Sequence, residues 1–257
     1  MRRTLITLAI TLLIAVGLGG VAMATSSGST ITKPRLERAL TASFSNVYTQ
    51  QAALLGHTGI TPQSLAPKAM CDKGPGVAQF GPGATWNCLM SWTDPNVPMP
   101  SAGYGKFELT VHSNGCYTVG SPSSLIGYQT ITDTKGRTVS NPAYEFDACL
   151  DPHSSSTPTG VVFPSAITVT STAVTPSPTG AVSVGLACGV GADGCAGTIK
   201  ATVGSTVIGT GSFDMTEQAT KNVAITGSVP TDAQQIVLTV TATKGVAPSD
   251  ATVKVQR

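Results

Sequence analysis

Six cysteines constrain the fold of this 257-residue chain more than any other feature of its sequence. Four of them precede a polar linker and two follow it, which limits how they can pair. The spacing favours three local disulfides between consecutive cysteines, and the last pair is predicted to close a hairpin loop. Other pairings among the first four stay open. The cysteines are Cys71, Cys88, Cys116, Cys149, Cys188 and Cys195.

The beginning of the chain indicates export. Arg2 and Arg3 precede an uncharged, apolar run that ends in the small-residue pattern Ala22-Met23-Ala24. This pattern is typical of a secretory signal peptide at residues 1–24, cleaved after Ala24. An uncleaved membrane anchor is the alternative, because about 20 apolar residues also span a bilayer. Both interpretations place the rest of the chain outside the cytoplasm, either secreted or anchored to the outer face of the cytoplasmic membrane.

The charge balance narrows the range of partners. Beyond residue 24 the chain has 13 basic and 13 acidic residues, and charged residues make up only 11% of the whole sequence. A chain without net charge lacks the basic surface that nucleic-acid binders need. No nucleic-acid partner is therefore predicted, and an extracellular protein or a wall polymer is the expected partner. No cysteine pair has C-x-x-C or zinc-site spacing, so structural disulfides are favoured over redox or metal chemistry.

A disulfide-stapled α+β domain is predicted at residues 34–150, after a flexible spacer at 25–33. An amphipathic helix begins at Pro34 and ends before Gly56, with Leu36, Leu40 and Phe44 on its apolar face. The segment at 58–84 is predicted to be irregular loop. The opposite, polar face of the helix is assigned Glu37, Arg38, Thr41, Ser45 and Gln50.

Alternating side chains predict the sheet against which this helix packs. Strands at 86–92 and 106–112 are expected to pair in antiparallel fashion, each with one apolar face. Further strands are predicted at 116–117, 125–132 and 144–149.

The second half of the chain differs from the first in composition and in its pattern of apolar residues. Residues 151–160 are rich in Ser, Thr and Pro and are predicted to form a linker. Residues 161–257 contain short alternating strands with turn signals between them, which favours an all-β, immunoglobulin-like sandwich. Seven strands are predicted, at 167–171, 182–187, 198–203, 211–215, 222–226, 236–243 and 251–255.

The sequence contains no recognisable nucleophile, metalloprotease or phosphate-binding motif. No catalytic residue, metal ligand or cofactor is therefore predicted. The alternative is a metal or acid–base site built on Asp147, Asp151 and His153, which could converge at the end of a strand. His57 is predicted to be a solvated helix cap, and His112 an exposed residue of the sheet.

Aromatic residues offer one more candidate site. Tyr104 and Tyr117 could form an exposed sugar-binding platform, although aromatic residues in a small β domain usually lie in the core.

Residues 34–150 contain a pattern of Cys, Trp, Gly and Pro residues. It comprises Cys71-Asp72-Lys73-Gly74-Pro75, Gly81-Pro82-Gly83, Trp86-x-Cys88, Cys116-Tyr117-Thr118 and Phe146-Asp147-x-Cys149. This pattern resembles a group of uncharacterised, exported bacterial cell-envelope proteins with an α+β domain. The resemblance implies the fold and an exported location but no activity or site residue. Residues 186–188 and 195–198 are similar to Ig-like modules of bacterial surface proteins, which implies display or adhesion.

The sequence therefore predicts an exported cell-envelope or secreted protein that acts as a non-enzymatic binding, structural or surface-display module. The alternative is a cell-wall hydrolase or metal-dependent enzyme with its site near Asp147, Asp151 and His153.

Overall fold

The computed structural model describes residues 29–257. The predicted signal peptide or anchor at 1–24 and the first residues of the predicted spacer lie outside the described residues. The fold is mostly antiparallel β-sheet with few helices, and its side chains form two large hydrophobic cores. No helix between residues 29 and 257 has both the length and the apolar character that a membrane span requires.

The longest helix, α1, spans Lys33–Leu55. Pro34 lies in its first turn, where a missing backbone N–H costs nothing, and Gly56 ends it in the left-handed conformation with φ of 77°. The predicted apolar face is confirmed, because its side chains are buried at i, i+4 spacing. Glu37 and Ser45 were assigned to the polar face, but both are buried. The buried apolar residues of α1 are Leu36, Leu40, Phe44, Tyr48 and Ala52.

A five-stranded antiparallel sheet forms the first core together with α1. Its strands lie in the order β1 (Lys68–Asp72), β2 (Gly83–Ser91), β3 (Gly105–Val111), β4 (Cys116–Gly120) and β7 (Glu145–Cys149). The predicted pairing of β2 with β3 is confirmed, and β3 shows strict alternation of buried and exposed residues. Side chains on the inward face of the sheet pack against α1, where the ring centres of Phe44 and Phe107 lie 5.4 Å apart.

Two segments of the first half differ from the sequence prediction. The predicted loop at 58–84 contains a short helix, α2 (Pro62–Leu65), and the edge strand β1. The predicted strand at 125–132 is a helical turn, α3 (Ser123–Ile126), followed by β5 (Thr130–Thr132). Strand β5 pairs with β6 (Thr138–Ser140) in a separate two-stranded sheet, so this segment leaves the main sheet.

The second core lies among eight strands, which include all seven predicted ones. Strand β13 (Thr220–Gly227) pairs with β10 (Val182–Cys188) along most of its length but with β12 (Thr206–Met215) only through Thr226 and Gly227. It thereby joins two groups of strands whose buried side chains form one cluster. The order is β8 (Ile167–Val169), β10 (Val182–Cys188), β13 (Thr220–Gly227), β12 (Thr206–Met215), β11 (Cys195–Val203), β14 (Gln235–Lys244), β15 (Ala251–Val255) and β9 (Ala173–Val174).

Hydrogen bonds hold both the predicted spacer and the predicted linker in place. Ile31 in the predicted spacer is buried, and its carbonyl accepts a hydrogen bond from the Gly81 N–H at 2.9 Å. In the predicted linker, the Asp151 and Ser155 carbonyls accept hydrogen bonds from Arg35 and Arg38. The spacer is therefore held against the loop that follows β1, and the linker is held against α1.

A third, small cluster joins the two halves of the chain. Met70, Leu89 and Tyr104 from the first half are buried with Val190 from the second. The Tyr104 hydroxyl donates a hydrogen bond to the Pro164 carbonyl at 3.0 Å. This junction brings the loop that follows β1 close to the loops of the second half.

Candidate functional site

A cleft of about 400 Å³ lies at this junction. Its walls are the loop at 73–82 after β1, the loop at 189–194 between β10 and β11, and the turn at 216–219 between β12 and β13. Lys33 at the start of α1 lines it as well. The cleft is therefore built from both halves, as ligand sites at junctions between packed units often are.

Local hydrogen bonds order the loop at 73–82. The Asp72 carboxylate accepts a hydrogen bond from the Gly74 N–H at 2.7 Å, as in an Asx turn, and the Gln79 side chain accepts one from the Lys73 N–H at 3.0 Å. The Lys73 ammonium lies 5.4 Å from the centre of the Trp86 ring, a cation–π distance. This loop is therefore a formed wall of the cleft.

Two carboxylates from different halves line the cleft. Asp72 is buried and ends β1, whereas Glu217 is half-buried in the turn after β12. Burial and then the charge of Asp72 raise the pKa of Glu217, against the opposing effects of the Gly191 N–H and Lys33. Burial is the larger cause, and the Asp72 charge adds to it across the junction.

The turn that carries Glu217 has an uncommon backbone conformation. Gln218 has φ of 60°, in the left-handed region that residues other than glycine rarely occupy. Its side chain lies against Gly74, where an added Cβ would come within 2.9 Å of the Gln218 Nε2. The absence of a side chain at Gly74 thus lets the two loops approach closely. Glycine also adopts the positive φ of 88° at this position without steric strain.

The cleft continues into a second space of about 330 Å³ that shares Pro75, Ala192 and Glu217 with the first. Asp193, Asp214 and Lys244 are added there. Four carboxylates and two ammonium groups thus line the two connected spaces of the cleft. None of the described side chains lining it is a histidine, cysteine or serine. The arrangement suits a polar ligand with hydroxyl groups and positive charge.

A second polar cluster fastens the end of α1. Oδ2 of the buried Asp94 accepts a hydrogen bond from the Tyr48 hydroxyl at 2.9 Å and lies 3.1 Å from the His57 Nδ1. The other oxygen accepts hydrogen bonds from the backbone and side chain of Asn96, both at 2.8 Å. His57 is half-buried and paired with this carboxylate, so its prediction as a solvated cap is wrong.

Burial opposes ionisation of Asp94, but the hydrogen bonds from Asn96, Tyr48 and His57 outweigh it and lower the pKa of this carboxyl. Burial, followed by the effects of Asp94, raises the pKa of Tyr48. The cluster supplies hydrogen-bond partners to one buried hydroxyl and one buried carboxylate at the end of the helix. It also holds the loop after β2 in place.

The structure does not bring Asp147, Asp151 and His153 together as a metal centre. Asp147 accepts a hydrogen bond from the Thr118 hydroxyl at 2.6 Å, and the Asp151 carboxylate accepts one from the backbone N–H of His153. All three candidates are exposed. Residues 29–257 contain no group of three or more His, Cys, Asp or Glu side chains placed to hold a metal ion.

The core positions favoured for the two tyrosines are confirmed and the alternative of an exposed platform is wrong, because Tyr104 and Tyr117 are 8% and 1% exposed. The Tyr104 ring packs against Phe163 at the junction, and the Tyr117 hydroxyl is 3.1 Å from the Ser43 hydroxyl beneath α1. His112 is exposed, as predicted.

All six cysteines are disulfide-bonded, in the consecutive pairs that the spacing favours. Such bonds indicate an oxidising, extracytoplasmic environment. The predicted hairpin at the last pair is wrong. Strand β10 pairs with β8 and β13, whereas β11 pairs with β12 and β14. The Cys188–Cys195 disulfide therefore closes the loop that connects the two groups of strands.

Sequence reasoning missed the cleft. The cleft residues are separated by up to about two hundred positions and share no local pattern. The one available signal was Asp72-Lys73-Gly74-Pro75, which has the composition of an Asx turn.

Comparison of the chain with family models, with curated proteins and with solved structures finds no match.

Proposed function

We propose that this protein is an exported, non-enzymatic binding protein of the cell envelope, secreted or anchored at the membrane surface. An α+β domain at 34–150 and an Ig-like sandwich at 161–257 together form its ligand cleft. The packing of α1 on a five-stranded sheet supports the first domain. The two strand groups around one core support the second. The carboxylates that line the cleft from both sides are the observation that carries the function.

The ligand that fits this cleft is a wall polymer rich in hydroxyl and ammonium groups. Asp72, Asp193, Asp214 and Glu217 exceed the two lysines by two negative charges, so a ligand with positive groups is favoured. Carboxylates accept hydrogen bonds from hydroxyl and ammonium donors, and Lys33 and Lys244 donate to ligand oxygens. Amino-sugar oligomers have this chemistry.

The alternative of a hydrolase or metal-dependent enzyme is not supported by the positions of the three residues assigned to its site. Asp147 bonds to a neighbouring strand, and Asp151 and His153 lie on the surface of the segment that follows. A polar cleft shared by both halves is better suited to recognition than these separate side chains.

A titration with two matched sugars tests the proposal. A glucosamine tetramer carries ammonium groups, whereas the N-acetylglucosamine tetramer of the same length does not. We expect calorimetry to detect the first at low ionic strength and to show at least tenfold weaker binding of the second. Glu217→Gln should weaken the first at least fivefold, whereas the exposed Asp232→Asn, outside the cleft, should leave it unchanged. Equal loss in both variants would reduce the interaction to net charge and overturn the assignment, as would cleavage of either sugar.

A further inference from the structure

The three disulfides differ sharply in their access to solvent. Cys71, Cys88, Cys188 and Cys195 are all 3% exposed or less. In the third pair, by contrast, Cys116 is half-buried and Cys149 is exposed. A thiolate must reach a disulfide sulfur to attack it, so exposure governs which of these bonds can react in the folded protein.

The register of the sheet explains this difference. Cys71 lies directly opposite Cys88 on neighbouring antiparallel strands, and Cys116 lies directly opposite Cys149 in the same manner. The first pair belongs to the core beneath α1. Tyr117 and Phe146, which alternate with the second pair along β4 and β7, point into that core. Because successive residues of a strand point to opposite faces, the second pair lies on the outer face.

The surroundings of this pair form a docking space for a small molecule. A shallow groove of about 450 Å³ contains both cysteines, with His112, Thr118 and Asp147 beside them. Strand β7 is the last in the order of its sheet, so one side of the groove is at the sheet edge.

We propose that Cys116–Cys149 is a thiol-exchange site that accepts a low-molecular-weight thiol. The thiolate of that molecule attacks the Cys149 Sγ and forms a new S–S bond to it. The bond to Cys116 breaks, and the Cys116 sulfur leaves with the electron pair and takes a proton from water. In the return step, the Cys116 thiol gives its proton back to water, its thiolate attacks the Cys149 Sγ, and the small molecule leaves as a thiolate while the original bond is restored.

The fold accommodates this exchange without unfolding. Strands β4 and β7 remain paired along five residue positions, and the Thr118 hydroxyl still bonds to the Asp147 carboxylate. Tyr117 and Phe146 keep both strands anchored in the first core. The site is therefore reversible, and its occupation changes the chemistry of an outer sheet surface while the core persists.

Glutathione is the probe for the experiment. The folded, oxidised full-length chain is incubated with it at neutral pH, quenched with an alkylating reagent and mapped by peptide mass spectrometry. We expect a glutathione adduct on Cys149 with an alkyl group on Cys116, formed at least tenfold faster than any modification of the other four cysteines. In urea, all six cysteines should react, which shows that the buried bonds are reducible once exposed.

Two variants complete the test. Cys116→Ser with Cys149→Ser should remove the adduct while the other two disulfides stay protected. Asp232→Asn, at an exposed carboxylate outside the groove, should preserve it. Equal modification rates at all six cysteines of the folded chain would overturn the proposal. An adduct mainly on Cys116, or none in the folded chain, would overturn it as well.

Discussion

The Glu37 carboxylate on α1 accepts a hydrogen bond from the backbone N–H of Cys71 at 2.9 Å. Its second oxygen accepts a hydrogen bond from the Thr159 hydroxyl, also at 2.9 Å. Burial raises the pKa of Glu37, although both hydrogen bonds and the charges of Lys33 and Arg38 oppose the shift. One buried side chain thereby joins the helix, the first strand and the segment between the two halves.

Replacing Glu37 with Ala should lower the free energy of unfolding by about 2 kcal/mol, because it leaves the Cys71 N–H buried without a partner. Glu37→Gln is the matched control. Its amide oxygen can still accept from that N–H, and the uncharged side chain avoids the cost of burying a carboxylate. Urea unfolding at neutral pH measures both variants. Equal destabilisation would show that the charge, and not the hydrogen-bond pattern, matters here.

The Asp94 cluster predicts a specific loss of stability in acid. Because the folded-state pKa of Asp94 lies below its ordinary value of 3.8, its contribution is complete above that pH. It is lost as the pH falls through the lower, folded-state value. Asp94→Asn should therefore be about 2 kcal/mol less stable than the natural chain at neutral pH, from the loss of charge-assisted hydrogen bonds.

Urea unfolding across the acid range measures this difference, which should shrink as the pH falls. The control is Glu108→Gln, at an exposed carboxylate 2.9 Å from Lys106. Surface pairs of this kind contribute little, so that variant should follow the natural chain. A constant gap between Asp94→Asn and the natural chain at every pH would contradict the assigned role of the Asp94 charge.

The aromatic cluster of the first core predicts a large effect at Phe44. The Phe44 ring is fully buried, and its centre lies 4.9 Å from the centre of the Trp92 ring. Phe44→Ala should lower the free energy of unfolding by about 3–5 kcal/mol through lost packing and the cavity left behind. Phe80, which is 55% exposed, is the control, and Phe80→Ala should change stability little. Tryptophan fluorescence in urea reports both, and similar midpoints would contradict this assignment of the core.

Local periodicity was sufficient to predict α1 and β3. The i, i+4 spacing of apolar residues and the alternation along 106–112 are each visible within a short window. Strand β1 was missed because its five residues follow proline and precede a Gly/Pro-rich loop. Its order comes from β2 and the bond between Cys71 and Cys88, which a local pattern does not show.

Long-range polar contacts explain the other misses. Tyr48 and Asp94 are separated by 46 positions, and Glu37 and Thr159 by 122, so no spacing rule connects them. A surface helix normally places a glutamate in water, which made the polar face the natural prediction for Glu37. The cleft depends in the same way on loops from both halves of the chain.

The disulfide between Cys188 and Cys195 gives the last prediction. A separation of seven positions suits a hairpin loop and a connection between two strand groups equally well, and the strand partners decide between them. Removing both sulfurs, as in Cys188→Ala with Cys195→Ala, should destabilise the second core by about 2 kcal/mol through restored loop entropy. Both tryptophans belong to the first core, so their fluorescence does not report the second one directly.

We therefore expect circular dichroism of this double variant to show an earlier unfolding phase in urea, while the transition seen by tryptophan fluorescence changes little. The Phe44→Ala variant, whose defect lies in the first core, supplies the reverse case and should shift the fluorescence transition first. If both signals moved together in both variants, the small junction around Met70, Leu89 and Tyr104 would be strong enough to make the two cores one cooperative unit.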